Sequence, residues 1–184
     1  GGKGLNQSIA LAKSGAEVWH AGAVGENDGE FLLEMMKDAG VNVSLVSHVE
    51  GKTGHAIIQG AGDGQNCILL YGGANQKITR EQVDQAMEHF QAGDFLILQN
   101  EINEIAYIME KAHEKGMKIV LNPSPMDEKI GGYPLEYVDY FLLNEIEAGD
   151  ICREQGEGEE LLRKLSAMFP KAKIVLTLGG DGSM

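Results

Sequence analysis

The sequence predicts an α/β fold: a parallel sheet lying between helices, with a small β sheet projecting from it. Three observations carry this. From residue 94 onward, short apolar runs alternate with amphipathic helical segments, the order that right-handed βαβ crossovers produce. Those runs are apolar almost throughout, the pattern of strands covered by helices. Outside that alternation, two apolar runs flank Gly60-Ala61-Gly62-Asp63-Gly64-Gln65, which is hairpin chemistry.

Residues 5–14 read as a helix with Leu5, Ile9 and Ala12 on one side and Gly15 as its stop. Residues 16–24 read as a strand. Residues 30–39 form an amphipathic helix with Phe31, Leu32, Met35, Met36 and Ala39 on one face, ended by Gly40. A strand follows at 41–49, then the hairpin arms at 54–59 and 66–71. Thr79 and Gln82 make a capping-box pattern for a helix whose buried stripe is Val83, Ala86, Met87 and Phe90. Next come a strand (94–99), a helix (102–115, with Ile102, Ile105, Met109 and Ala112 inward) and strands at 117–121 and 138–143. Helical segments run to 169, and a last strand covers 174–178. Trp19 and the Met35-Met36 pair read as core. Glu157, Glu159 and Glu160 read as the solvated first turn of a helix.

The 184 residues are 43% apolar and 23% charged, enough for one sizeable core. No apolar run approaches the roughly 20 residues of a membrane span. No basic-then-apolar leader opens the chain, and Cys67 and Cys152 have no metal or redox spacing, so a cytoplasmic protein is expected. The net charge of −13 argues against nucleic acid and anionic membranes as partners. Such a chain binds phosphate only where backbone N–H groups and a few cations concentrate, which directs attention to glycine turns beside helices. His20, His48, His55, His89 and His113 show no metal-ligand spacing. No Gly-x-Gly-x-x-Gly joins a strand to a helix, which argues against a dinucleotide-binding oxidoreductase. The chain opens on Gly1 and stops at Met184, just after a glycine-rich turn, and both ends read as cut.

Four segments are candidates for chemistry. Gly1-Gly2-Lys3-Gly4-Leu5-Asn6 stands before the first helix. Its glycines permit close approach of a ligand to the backbone, and Lys3 and Asn6 add the directed polar groups a polyol needs; a turn with a helix cap is the other reading. Leu98-Gln99-Asn100-Glu101 ends a parallel strand, where ligands of such sheets bind; Glu101 also reads as an acid favourable to a helix N-terminus. Asn144 and Glu147 have the spacing of a capping box. Thr177-Leu178-Gly179-Gly180-Asp181-Gly182 ends the last strand and reads also as a plain turn. Asn122-Pro123-Ser124-Pro125 is a stiff loop that gives shape rather than chemistry.

The first of these stretches resembles the first signature of the carbohydrate kinase family that includes ribokinase, adenosine kinase and fructokinase. The match is a Gly-Gly pair, an asparagine, a helix ending at Gly15 and the later Gly25, and a lysine at the third position is similar to the ribose-specific members. The resemblance covers the whole chain in order. It implies a three-layer α/β/α parallel-sheet fold with a β lid over residues 50–73, in one domain that residues 1–184 fill only in part. It implies phosphoryl transfer from ATP to a sugar, D-ribose first, with deoxyribose, a nucleoside, fructose or a sugar acid as other acceptors. A relative that binds sugar or nucleotide without catalysis is the alternative of a different class. Gly2, Lys3, Gly4, Asn6 and Glu101 are implied at the sugar. Asn144 and Thr177, Leu178, Gly179, Gly180, Asp181 and Gly182 are implied at ATP, and Glu147 at Mg²⁺. A K⁺ site and the catalytic base are expected beyond Met184, so residues 1–184 alone are expected to be inactive. The Gly-Ala-Gly-Asp at 60–63 has the letters of the family's catalytic motif, yet it lies between two strands, and Asp63 is read as hairpin turn. The lid is implied to pair two subunits into a homodimer.

Overall fold

The computed structural model describes residues 2–60 and 66–184. Asp63, and with it the reading of that residue as hairpin turn, lies outside the described residues. The chain divides into two compact units, Gly1–Gln82 and Val83–Met184.

In the first unit, helix α1 (Lys3–Lys13) precedes strand β1 (Trp19–Gly25), helix α2 (Glu30–Asp38) and strand β2 (Asn42–Val49). β1 and β2 pair in parallel, joined through α2. Leu5, Val24, Leu33, Met36 and Val41 form the core, with Ile9 and Ala12 of α1 packed against it. α2 corrects the expected face. Met36 is 2% exposed, whereas Phe31 is 58% and Met35 49% exposed. The helix has only nine residues, and an i,i+3 pair, Leu33 and Met36, suffices to cover the parallel pair; the Phe31–Met35 pair lies to one side. Trp19 is not core either: it is half-buried and its Nε1–H donates to Glu17 at 3.2 Å.

The hairpin is formed by β3 (His55–Gly60) and β4 (Asn66–Tyr71), antiparallel, with His55 opposite Tyr71 and Ile57 opposite Leu69. Its base is tied to the end of β1. Asp28 Oδ1 accepts from the Thr53 hydroxyl (2.6 Å) and the Thr53 N–H (3.0 Å), and Thr53 Oγ1 accepts from the Gly25 N–H (2.8 Å). The capping box before helix α3 (Arg80–Met87) is formed in both directions. The Gln82 N–H donates to Thr79 Oγ1 and the Thr79 N–H to Gln82 Oε1.

The second unit is one four-stranded parallel sheet. Its strands are β5 (Phe95–Gln99), β6 (Lys118–Asn122), β7 (Val138–Asn144) and β8 (Lys173–Thr177), in spatial order β5-β6-β7-β8. Helix α4 (Ile105–Glu114) crosses from β5 to β6. Helices α5 (Glu145–Cys152) and α6 (Gly158–Met168) cross from β7 to β8. Ile119, Leu121, Phe141, Leu143 and Leu176 of the strands are buried, as are Met109 and Ala112 of α4 and Leu161 and Leu165 of α6. Each such leucine contributes about 1.5–3 kcal/mol by leaving water. α4 starts three residues later than its periodicity predicts. Glu104 holds a left-handed backbone (φ 58°) just before it, which keeps Ile102 outside the helix.

Gly25 marks where β1 must end. A Cβ there would lie 2.5 Å from the Gly51 carbonyl oxygen and 2.7 Å from the Thr53 nitrogen, both backbone atoms that cannot swing aside. Gly25→Ala is expected to lower stability by about 1–3 kcal/mol, measured as the urea unfolding midpoint. Gly131→Ala, where a Cβ meets open space, should stay within about 0.5 kcal/mol of the parent.

Candidate active site

The first candidate segment is not a loop. Helix α1 already begins at Lys3, with Gly2 at the N-cap position in a conformation (φ 129°) open to glycine. Lys3, Gly4 and Asn6 therefore occupy the first turn, closed by the Asn6 N–H donating to the Gly2 carbonyl at 3.0 Å. Gly2 and Asn6 are exposed, and Lys3 and Gly4 half-buried. Gly2 at the N-cap brings no side-chain cap of its own, and the positive end of the helix dipole lies at this turn, a setting that favours a polar or anionic group. Behind this turn α1 is pinned to β1. Ser8, 9% exposed, lies with Oγ 2.8 Å from Nδ1 of His20. Burial holds the His20 imidazole below its ordinary pKa of 6.5.

The other candidates share the carboxyl edge of the second unit's sheet. Gln99 is opposite Asn122, and Asn144 opposite Thr177. Glu101 follows β5 in a turn and is half-buried. Asn122, at the end of β6, accepts the Ser124 N–H on Oδ1 at 3.0 Å, which fixes the Asn-Pro-Ser-Pro loop. Asn144 caps α5 with the full reciprocal pair. The Glu147 N–H donates to Asn144 Oδ1 (2.9 Å), and Glu147 Oε2 accepts the Asn144 N–H (3.0 Å). Glu147 is only 7% exposed, a buried carboxylate held against the positive end of a helix.

Next to this cap, β8 ends in a tight return. The Leu178 N–H donates to the Gly182 carbonyl (2.8 Å), and Leu176 and Met184 exchange both backbone hydrogen bonds at 2.9 Å. Gly179 (φ 59°) and Gly182 (φ 92°) turn the chain. A Cβ on Gly179, Gly180 or Gly182 would meet nothing within 4 Å, so the backbone lies open to a flat or anionic ligand. Asn144, Glu147 and the 177–182 turn are thus brought together, and Glu101 stands two strands away on the same edge. Gly2, Lys3, Gly4 and Asn6 belong to the first unit.

A single buried carboxylate is a poor cage for a metal, and among the described residues no group of three or more acidic, histidine or cysteine side chains could hold one. It suits a hard cation that keeps its waters and takes its other ligands from phosphate, the habit of Mg²⁺.

The model of the pfkB family carbohydrate kinases matches residues 1–184, the whole chain. The chain belongs to the pfkB family. Among pfkB kinases it is 32% identical over 188 residues to the ribokinase of Bacillus subtilis, covering 99% of this chain and 61% of that protein. To the ribokinase of Staphylococcus aureus it is 34% identical over 191 residues, covering 100% of this chain and 62% of that protein. The structure of Arabidopsis thaliana ribokinase complexed with ribose and ATP superimposes with a TM-score of 0.84 at 26% identity, covering 100% of this chain and 62% of that one. The chain thus spans about three fifths of the length of these pfkB relatives, and its α/β fold is theirs.

Two groups escaped the sequence reading. Asp28 binds Thr53 across 25 residues of chain, and those two hydrogen bonds, with Lys52 nearby, lower its carboxyl pKa. Asn100 was read only as part of a strand end, although it is 7% exposed. Its burial is foreshadowed only by its place directly after an apolar strand.

His20 yields a pH prediction. Its neutral form is favoured in the folded state, while the unfolded chain binds a proton near 6.5. Its contribution to stability is therefore present in full above about pH 6.5. It is lost as pH falls from there through the lowered folded value. Urea unfolding at pH 7.5 and 5.5 should show a larger loss for the parent than for His20→Gln.

Proposed function

We propose that the protein carrying this chain is a ribokinase: it transfers the γ-phosphoryl group of ATP to the primary 5-hydroxyl of D-ribose and releases ADP. The observation that carries this reading is the whole-chain likeness to two ribokinases. The motif residues of that likeness stand at a helix start with glycine as its N-cap and at the carboxyl ends of parallel strands. Gly2, Lys3, Gly4 and Asn6, and separately Glu101, are assigned to the sugar hydroxyls. Asn144 and the Thr177–Gly182 turn are assigned to the nucleotide, and Glu147 to Mg²⁺ through water. No general base is assigned among residues 1–184, and a K⁺ site is assigned to none of them. The work of this chain is positioning and charge neutralisation, which dominate phosphoryl transfer.

Residues 1–184 are taken as part of one kinase domain, with residues 50–73 as a lid that excludes water. Ile57, Leu69 and Tyr71 share one face of the hairpin by register. All three are more than half exposed. An isolated two-stranded ribbon is marginal in water, so a second copy of the lid, in a homodimer, is proposed as its cover. No described helix is long and apolar enough to cross a membrane, and a cytoplasmic site of action is proposed.

The test is a coupled ADP-release assay with D-ribose, deoxyribose, fructose and a nucleoside as acceptors. Ribose should give the highest kcat/KM, and a higher value for any of the others would displace it. Glu147→Gln is expected to raise the Mg²⁺ concentration for half-maximal rate several-fold while ribose KM stays near the parent value. Leu69→Glu should convert the dimer to monomer in sedimentation velocity, and a dimer that survives this change would remove the lid from the interface.

A further inference from the structure

Asn100 is a buried polar residue that the assignments above leave without a role. It follows β5 directly and immediately precedes Glu101. Its Nδ2 donates to the Pro125 carbonyl at 2.7 Å, and its Oδ1 accepts from the Tyr133 hydroxyl at 2.6 Å. Its backbone N–H donates to the Ser124 carbonyl at 3.2 Å. Both ends of the amide are engaged. One side chain therefore clamps three chain segments at the carboxyl edge of the sheet: the turn after β5, the Asn-Pro-Ser-Pro loop after β6, and the stretch before Pro134. The clamp is braced from outside, since the Asn122 side chain holds the Ser124 N–H. Burial, with Asp127 adding to it, holds the Tyr133 hydroxyl above its ordinary pKa, so it stays a donor at neutral pH.

A buried amide costs desolvation that its hydrogen bonds only offset, whereas an apolar side chain would fill the end of a core strand without that cost. The clamp fixes direction instead. Its three hydrogen bonds set the backbone just before Glu101, and three residues later the left-handed Glu104 ends the turn and starts α4. We infer that Asn100, anchored by Tyr133, is a positioning residue for Glu101: it sets the backbone from which the Glu101 carboxylate meets the sugar. This rests on the proposed assignment of Glu101 to ribose.

The test is steady-state kinetics on the intact protein carrying this chain, with ribose and ATP varied separately, for Asn100→Ala, Tyr133→Phe, their double variant and Glu101→Gln. Asn100→Ala should raise ribose KM about tenfold and Tyr133→Phe about threefold, each leaving ATP KM and kcat within about twofold. The double variant should be no worse than Asn100→Ala, because Tyr133 acts through Asn100. If Glu101→Gln raises ribose KM and the other variants do not, the inference is overturned. It is equally overturned if the two KM values rise together with a fall in thermal midpoint, the mark of a packing role. If Glu101→Gln leaves ribose KM unchanged, the assignment of Glu101 to the sugar fails and takes the inference with it. Should Asn100→Ala not fold, Tyr133→Phe decides alone, since it removes a single hydroxyl.

Discussion

The register of four parallel strands is the constraint from which the second unit's candidate site follows. In a parallel sheet each strand is followed by a turn at the same edge, because every crossover returns to the opposite edge before the next strand begins. Once Gln99 is opposite Asn122 and Asn144 opposite Thr177, the residues after β5, β6, β7 and β8 have no other place to be. Glu101, the Asn-Pro-Ser-Pro loop, the Asn144–Glu147 cap and the glycine turn then line one edge, though the chain visits them tens of residues apart. A slip of one residue in a strand would move each of its buried side chains to the opposite face of the sheet. The burial of Ile119, Leu121, Phe141, Leu143 and Leu176 therefore holds the candidate edge in place as well as the core.

Two helix starts in this chain solve the same problem in opposite ways. α5 satisfies its first donors internally, with Asn144 and Glu147 exchanging hydrogen bonds in both directions. α1 carries a glycine where α5 carries an asparagine, and that glycine has no side chain with which to cap it. The first arrangement stabilises a helix and holds a carboxylate at a fixed depth. The second gives up only about a few tenths of a kcal/mol of capping energy, because glycine is itself a tolerated N-cap, and leaves a helix start at which a ligand can serve as the cap. Capping and ligand binding are thus compatible readings of Asn144 and Glu147: the interaction that ends the strand also fixes the group that faces the edge.

What was legible in the sequence is what short-range physics decides. Apolar runs located every strand to within a few residues, Thr79–Gln82 and Asn144–Glu147 announced their caps, and glycine and aspartate announced the hairpin. What was not legible depends on partners far along the chain. Nothing near Asp28 signals Thr53, and nothing near Asn100 signals Tyr133, 33 residues on. α2 shows a subtler limit. Its periodicity marked an apolar face correctly in kind, but which apolar pair turns inward is set by how the helix lies on β1 and β2, and that choice left Phe31 and Met35 outside. The first turn of α1 was read as a loop because glycines favour one; in the fold their freedom serves the N-cap, and the helix begins among them.

The charge of −13 looks hostile to a ligand as anionic as the proposed nucleoside triphosphate, and the fold offers the proposal a way round that conflict. Many of the lysines are engaged on the surface. Lys37 pairs with Glu30, Lys52 with Asp28, Lys111 with Glu114, Lys118 with Asp139, and Lys164 with Glu154 and Glu160. Such exposed pairs add little stability, and with 15 basic against 28 acidic residues the chain has no surplus of cations for a broad basic patch. The polar capacity at the candidate edge comes instead from backbone: an open glycine turn after β8 and the amino end of α5. Backbone dipoles are fixed in direction and are not titrated, and their field is local. An acidic surface can therefore surround such a site and repel polyanions such as nucleic acid, while the site itself stays favourable to one anionic group of the right shape.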